Sequence, residues 1–313
     1  MSNTQQLAPL RSKEFVGSVA ILVSMLCFYL EAAVVRWATT NPEVALGSAF
    51  LMFARFFLGF LVTALVFLFQ RRLPQPKHTG TIIYRAVTNM LAVYCSYKAV
   101  ELTTLAEGTI LNMTSPVFIG IFTWILLKHQ RDIMATLMTF VGFYGIFLVV
   151  APQNMQFHWE SLWGLMSGII SAISLMLLNT VRQENDTNTV LFVVFGVGML
   201  IQAAVFYDQY YLPSPLELIY LVSGAISAIA GQYLLTMGFR YVTAVKGGIL
   251  SSSRIVLSAF LGPYITSDPH LTLSGWLGAL IILGTNIYFI SRKTTPDESQ
   301  NRKLQDKNSI EPV

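Results

Sequence analysis

Long apolar runs joined by short polar connections set the pattern of this chain. A helix needs about 20 apolar residues to cross the hydrocarbon of a bilayer, and ten runs approach that length. They cover approximately 15–36, 46–69, 82–101, 106–127, 133–151, 161–181, 189–211, 216–239, 244–265 and 271–291. Connections such as RQENDTN after the sixth run and TSDPH after the ninth leave little chain for a soluble domain, so any chemistry lies inside the helix bundle. The first run is longer than the apolar core of a signal peptide and lacks the usual small-residue cleavage site. It therefore reads as an uncleaved span.

Composition moves the reading from helical to membrane-embedded. Hydrophobic residues make up 54% of the 313 and charged residues 12%, whereas about a quarter of a soluble domain is charged. The expected fold is an all-α integral membrane protein, with the lipid bilayer as its first partner. The net charge of +4 does not point to nucleic acid, because the basic residues collect at span ends rather than on a face interleaved with aromatics.

Those basic residues set an orientation. Arg11, Lys13, Arg71, Arg72, Lys77, Arg85, Lys128, Arg131, Arg182, Arg240, Lys246, Arg292 and Lys293 fall on one side, against Arg36 and Lys98 on the other. The expectation is a multi-pass protein of the cell inner membrane with both termini cytoplasmic. A short N-terminal segment (1–14) and a disordered polar tail (292–313) flank the spans. Trp37, Trp124, Trp159, Trp163 and Trp276 lie mostly near predicted interfaces, as belt residues do. Cys27 and Cys95 fall inside spans with no metal-ligand spacing, and no phosphate-binding loop, zinc signature or nucleophile elbow is present. No metal, cofactor or enzyme activity is expected.

An internal repeat organises the spans. A shift of 139 residues lays YCSYKAVELTTLAEGTIL on YLLTMGFRYVTAVKGGIL, pairing Tyr94 with Tyr233, Thr104 with Thr243, Gly108 with Gly247 and Leu111 with Leu250. In the fourth span Gly108, Asn112, Ser115, Ile119 and Thr123 share one helical face; the same shift gives Gly247, Ser251, Arg254, Ser258 and Gly262 in the ninth. Gly17, Ala20, Ser24, Cys27 and Glu31 form a comparable stripe in the first span, laid by a shift of 147 on Gly164, Ser167, Ser171, Ser174 and Leu178 in the sixth. Thr88, Ala92 and Ala99 in the third match Ser227, Gly231 and Gly238 in the eighth. Five spans per half is odd, so the second half enters from the other side. This gives two inverted five-helix repeats, 15–151 and 161–291, with a solute site between them.

Small-residue stripes also serve plain helix packing, so the charges within spans weigh more. An ionised side chain near the bilayer centre costs about 3 kcal/mol or more unless it faces protein or water. Arg254 lies near the middle of its span without an obvious partner, and a guanidinium there suits a carboxylate or phosphate on a solute. Glu31 and Arg55 lie at comparable depth and count among the candidate solute-binding residues, either as a structural ion pair or with Glu31 as the proton-coupling group. Asn112, Ser115 and Ser251 supply neutral hydrogen bonds beside Arg254, and Pro116 bends the fourth helix. Glu107 and Lys246 sit near span ends and read as solvated.

The segment YRAVTNMLAVYCSYKAVELTTLAEGTILNMTSPVF resembles the third and fourth spans of EamA-type members of the drug/metabolite transporter superfamily. FVGFYGIFLVVAP is similar to their fifth span and FARFFLGF to their second, and the likeness runs from about Phe15 to Ser291. It implies ten helices in two inverted halves and transport without ATP. The leading functional expectation is a secondary active permease for small polar organic metabolites such as amino acids or nucleotide-derived solutes, as exporter or exchanger. Coupling would be to protons or a counter-solute, and a homodimer is left open. A broad drug efflux permease and a non-transporting membrane scaffold are the alternatives.

Overall fold

A computed structural model of the protein describes residues 3–44, 46–126, 133–150, 158–242 and 250–291. Readings that fall on Lys128, Arg131, Thr243, Lys246, Gly247 and the tail 292–313 lie outside the described residues, as do the side chains of Arg11, Lys13, Thr123 and Trp124. The fold is all-helical, with no strand among the described residues. We number the helices α1 (Asn3–Thr40), α2 (Ser48–Gln70), α3 (Thr79–Leu102), α4 (Leu105–Asn112), α5 (Ser115–Leu126), α6 (Ile133–Val150), α7 (Ser161–Glu184), α8 (Thr187–Val205), α9 (Pro215–Tyr241), α10 (Ser253–Thr266) and α11 (Leu273–Ser291).

Local chemistry fixes several helix ends. Ser214 and Glu217 form a reciprocal capping box ahead of α9, with Pro215 in the first turn, where its missing N–H is not needed. Asp186 caps α8 by accepting from the Thr189 N–H at 3.2 Å, and Thr104 caps α4 by accepting from the Glu107 N–H at 3.1 Å. At the far end of α2, Arg71 adopts the left-handed conformation (φ 49°). The Arg71 and Arg72 N–H groups then reach back to Leu68 O and Phe67 O, both at 3.2 Å, closing a helix with no glycine to do so.

Five helical segments among the described residues are long and apolar enough to cross a membrane: 15–40, 48–70, 161–182, 187–205 and 215–241. The 24-residue α3 is long enough but carries Arg85, Lys98 and Glu101. Polarity is turned inside out relative to a soluble bundle. Leu22, Leu26 and Leu30 on α1 and Phe57, Leu61, Leu65 and Leu68 on α2 are exposed along single faces, whereas Ser24, Glu31 and Arg55 on the same helices are buried. Hydrocarbon replaces water around such a surface, and polar groups gain by facing one another.

Helices pair across the chain. α1 lies along α9, α3 along α7, α6 along α11 and α2 along α8, while α4 packs on both α7 and α10. Small residues allow the closest approaches. A Cβ on Gly238 would stand 2.9 Å from Gly17 O and 2.5 Å from Ile21 Cγ1, and one on Gly278 would stand 2.6 Å from Gly145 O.

The fourth span, where a bend at Pro116 was expected, and the ninth, where none was, are both interrupted. α4 stops at Asn112, Met113 and Thr114 make a turn, and α5 starts at Ser115. Pro116 accounts for this: its ring would clash with the carbonyl of Asn112, and it disfavours helical geometry at the residue before it. The Val117 N–H turns to Thr114 O at 2.9 Å, and the Met113 carbonyl takes a bond from Asn286 Nδ2 of α11 at 2.9 Å. In the second half, Ser252 forms a turn between a helical stretch and α10, with the Ile255 N–H on Ser252 O at 3.1 Å. No proline is involved there. Ser251, Ser252 and Ser253 stand in a row, and serines compete for neighbouring backbone groups in a helix interior.

Candidate solute site

The deepest charges converge. Glu31 of α1 accepts hydrogen bonds from Arg55 Nη1 of α2 and from the Tyr97 hydroxyl of α3, so one carboxylate holds three helices. Arg55 also reaches Gln232 Oε1 of α9 with Nη2 at 3.4 Å. One turn before Glu31, Phe28 lies between two guanidiniums. Arg55 and Arg254 each have their guanidinium carbon 5.8 Å from its ring centroid, within cation–π range. Arg254 Nη2 donates to Phe28 O at 3.0 Å. Exposure of Glu31, Arg55 and Arg254 is 3%, 4% and 9%.

Two sequence readings are revised here. Arg254 does have a protein partner, the carbonyl of Phe28, because the turn at Ser252 brings the start of α10 against α1. Arg85, read as a cytoplasmic end residue, is instead 2% exposed and donates to Ser174 Oγ of α7 at 2.6 Å. α3 begins at Thr79, three residues before the expected start, so Arg85 lies about 9 Å along the helix at 1.5 Å per residue.

The remaining predicted residues form a second group. Asn112, the last residue of α4, donates to Ser167 and Ser171 of α7, the second at 3.3 Å. Ser115 is buried at the head of α5 with Pro116 next to it, and Ser251 is half-buried ahead of the other break. Glu31, Arg55 and Arg254 thus come together, while Asn112 turns its amide to α7. Glu107, read as a solvated end, is half-buried and accepts from Ser161 at the start of α7. The reason is that the N-terminal end of α7 packs on α4.

Sequence reasoning missed Tyr97 and Gln232 as members of the cluster, and Arg85 with Ser174 as a buried pair between α3 and α7. Arg85 carried a usable signal, since it lies three residues before Thr88 and so extends the stripe Thr88, Ala92, Ala99. Gln232 is adjacent to Gly231 of the matching stripe. Tyr97 offered no signal, because an aromatic residue in a span is ordinarily core.

A clasp lies beyond the cluster at the end of α1. Arg36 donates to Asp268 Oδ1 through Nε at 2.9 Å and Nη2 at 2.7 Å, and through Nη1 to Val100 O and Glu101 O, both at 3.2 Å. Asp268 Oδ2 in turn accepts from the Leu105 N–H at 2.9 Å and Thr266 Oγ1 at 3.0 Å. One ion pair therefore joins the ends of α1, α3, α4 and α10, five residues and about 7.5 Å along α1 from Glu31.

A multi-pass helical membrane protein with its charges gathered between helices, and with polar breaks inside two of them, has the build of a permease. Comparison with known proteins gives the class a family. The model of the EamA-like transporter family matches residues 15–151 and again 158–291, and the chain belongs to that family, within the drug/metabolite transporter superfamily. It is 23% identical over 272 residues to the pseudopaline exporter CntI of Pseudomonas aeruginosa, covering 85% of this chain and 92% of that one. It is 25% identical to human solute carrier family 35 member G1 over 68% of this chain and 62% of that one. A riboflavin transporter of Brucella anthropi is 22% identical over 82% of this chain and 91% of its own. One solved crystal structure covers 88% of this chain and 95% of its own at a TM-score of 0.58 and 16% identity, a likeness of fold. Family and relatives are those of a transporter rather than an enzyme.

Proposed function

We propose that this protein is a secondary active transporter that moves small polar organic metabolites, such as amino acids or nucleotide-derived solutes, across a bacterial inner membrane as exporter or exchanger. The observation that carries the reading is the buried cluster of Glu31, Arg55 and Arg254, built from α1, α2 and α10 and completed by Gln232 of α9. It draws on both halves of the chain, as a site between repeats would. The names of the pseudopaline exporter and the riboflavin transporter favour small organic solutes and, for the first, outward movement.

Two features support ten spans as two related halves, 15–151 and 161–291; inverted entry of the second half and cytoplasmic termini rest on the odd span count and the placement of the basic residues. The breaks at Met113 and Ser252 are separated by 252 − 113 = 139 residues, the shift that aligns the halves. Exchanging the halves also maps the α1–α9 pairing onto α7–α3, and α1–α10 onto α7–α4. Interrupted helices at a repeat interface are a recurring feature of secondary transporters. In this scheme Arg254 binds an anionic group of the solute, Ser115 and Ser251 flank the two breaks, and Asn112 holds α4 to α7 so that the break keeps its shape. Glu31 is the titratable member of the cluster and the candidate for coupling, with Arg55 as its partner.

The test is solute counterflow in proteoliposomes, using whichever member of a metabolite library raises the melting temperature of the purified protein. Arg254→Ala is expected to weaken apparent affinity at matched folded protein. Arg254→Lys, which keeps the charge but loses the planar fork, should fall between it and the natural protein. Wild-type transport and affinity in Arg254→Ala would remove this site from the reading.

A further inference from the structure

The helices that bring Glu31, Tyr97 and Arg254 to the cluster are tied together a second time. Along α1, Arg36 comes five residues after Glu31, and along α3, Val100 comes three after Tyr97. Asp268 follows the end of α10, the helix of Arg254, and bonds Thr266 in its last turn. The Arg36–Asp268 pair therefore joins the C-terminal ends of α1, α3 and α10 just past the residues those helices give to the cluster. It also crosses between the two matched regions of the chain, since Arg36 falls in 15–151 and Asp268 in 158–291. Trp37 repeats the crossing beside it, its Nε1 donating to Ile265 O at 2.9 Å.

The remaining partners of the pair are backbone groups at helix ends. Val100 O and Glu101 O belong to the last turn of α3, and the Leu105 N–H to the first turn of α4. Such groups have no partner within their own helix and are satisfied by side chains or by water. The side chains of Arg36 and Asp268 are 14% and 6% exposed, so water already meets the edge of the pair. Parting it leaves every one of its groups a solvent partner. The Glu31–Arg55 pair, within the spans, has no such replacement.

Resting on the transporter reading above, we propose that the Arg36–Asp268 clasp closes the solute path at this end of the bundle. Formed, it holds α1, α3 and α10 shut over the cluster. It parts when the site opens on that side.

The test measures how fast an impermeant thiol reagent reaches a cysteine behind the clasp, in the full-length protein with Cys27 and Cys95 changed to serine. Ser258, fully buried one turn after Arg254 on α10 and on the clasp side of it, is the reporter as Ser258→Cys. Ala225→Cys, 1% exposed in the core where α9 packs, reports general loosening. Glu43→Cys, exposed three residues after α1, fixes which preparation presents the clasp end, intact cells or inverted vesicles. Arg36→Gln or Asp268→Asn should speed labelling of Ser258→Cys by about ten- to a hundredfold, the factor by which one lost charge-assisted hydrogen bond raises the open population. Labelling of Ala225→Cys should stay as it is. Arg36→Lys should fall between, because an ammonium keeps the charge but not the fork that holds the carboxylate and both carbonyls at once. Rates are scored per folded protein, and Arg36→Lys carries the comparison if the other two variants do not accumulate. Unchanged labelling of Ser258→Cys, or an equal rise at Ala225→Cys, overturns the proposal and leaves the clasp a structural tie. Absence of counterflow in the natural protein sinks the transporter reading instead, while the labelling still decides whether the clasp closes this end.

Discussion

Replacing Glu31 by glutamine tests whether the central carboxylate is a structural tie or a proton carrier. The substitution keeps volume and removes the charge. It exchanges the acceptor facing Arg55 Nη1 and the Tyr97 hydroxyl for an amide that must present donors on one side. Two bonds to a charged group at about 1.5–3 kcal/mol each set the scale, and breaking a buried pair while leaving its partner costs about 3–5 kcal/mol. Arg55, 4% exposed, would then be left as a buried charge without its carboxylate. At about 2–4 °C per kcal/mol, the loss amounts to a fall of order ten degrees in melting temperature. Glu31→Gln combined with Arg55→Gln should regain most of it, because deleting both partners of a buried pair is close to neutral. The assay is thermal unfolding of the four members of this double-mutant cycle, run beside counterflow at several pH values. A melting temperature for Glu31→Gln within about 2 °C of the natural protein, with no recovery in the double variant, would refute the structural tie. If flux then also lost its pH dependence, Glu31 would be a proton carrier; unchanged stability and unchanged pH dependence would reject both roles.

Three further expectations concern the frame around the site. Asp268→Asn keeps the shape of the clasp but unpairs Arg36, and should lower the melting temperature by several degrees while raising the access of a thiol reagent to a cysteine at Val100; an unchanged melting temperature and equal labelling would show that the clasp does not hold these helix ends together. Gly238→Val places a Cβ 2.9 Å from Gly17 O and should sharply reduce folded yield by forcing α1 from α9, whereas Gly284→Ala, with nothing within 4 Å, should be neutral or stabilising by up to about 1 kcal/mol; equal yields would discount the close approach. Single cysteines at Glu43, Glu160 and His270 in a Cys-free background should react with an impermeant reagent outside intact cells, and those at Lys77 and Glu184 should not; the reverse pattern would overturn the inverted topology.

What the sequence made legible follows from what periodicity encodes. Apolar length and the burial of Glu31 and Arg55 could be read because a charge within a span has few options, and a second charge of opposite sign at similar depth is the cheapest of them. Depth itself was the weak point for Arg85. Span ends were judged from hydropathy, and a polar start of TGTIIYR hides the fact that the helix begins before the apolar run does. A stripe, moreover, records which residues share a face but not which neighbour that face meets. Asn112 was on the expected face and still bonded to α7, because α4 packs on α7 as well as on α10.

The breaks at Met113 and Ser252 make the same point from the other direction. Proline explains the first and a serine run the second, so two different local chemistries arrive at one position in the two halves. Local propensity alone would not enforce that coincidence. An interrupted helix inside a bundle leaves backbone groups that something must satisfy, and Asn286, 0% exposed, does this for the Met113 carbonyl. A dedicated buried partner for the broken backbone argues that the break is maintained by the fold rather than tolerated by it. The polar residues of LAEGTILNMTSP, a stretch otherwise apolar enough to run straight through, fall at this break. The residue two places after the corresponding break in the second half is Arg254.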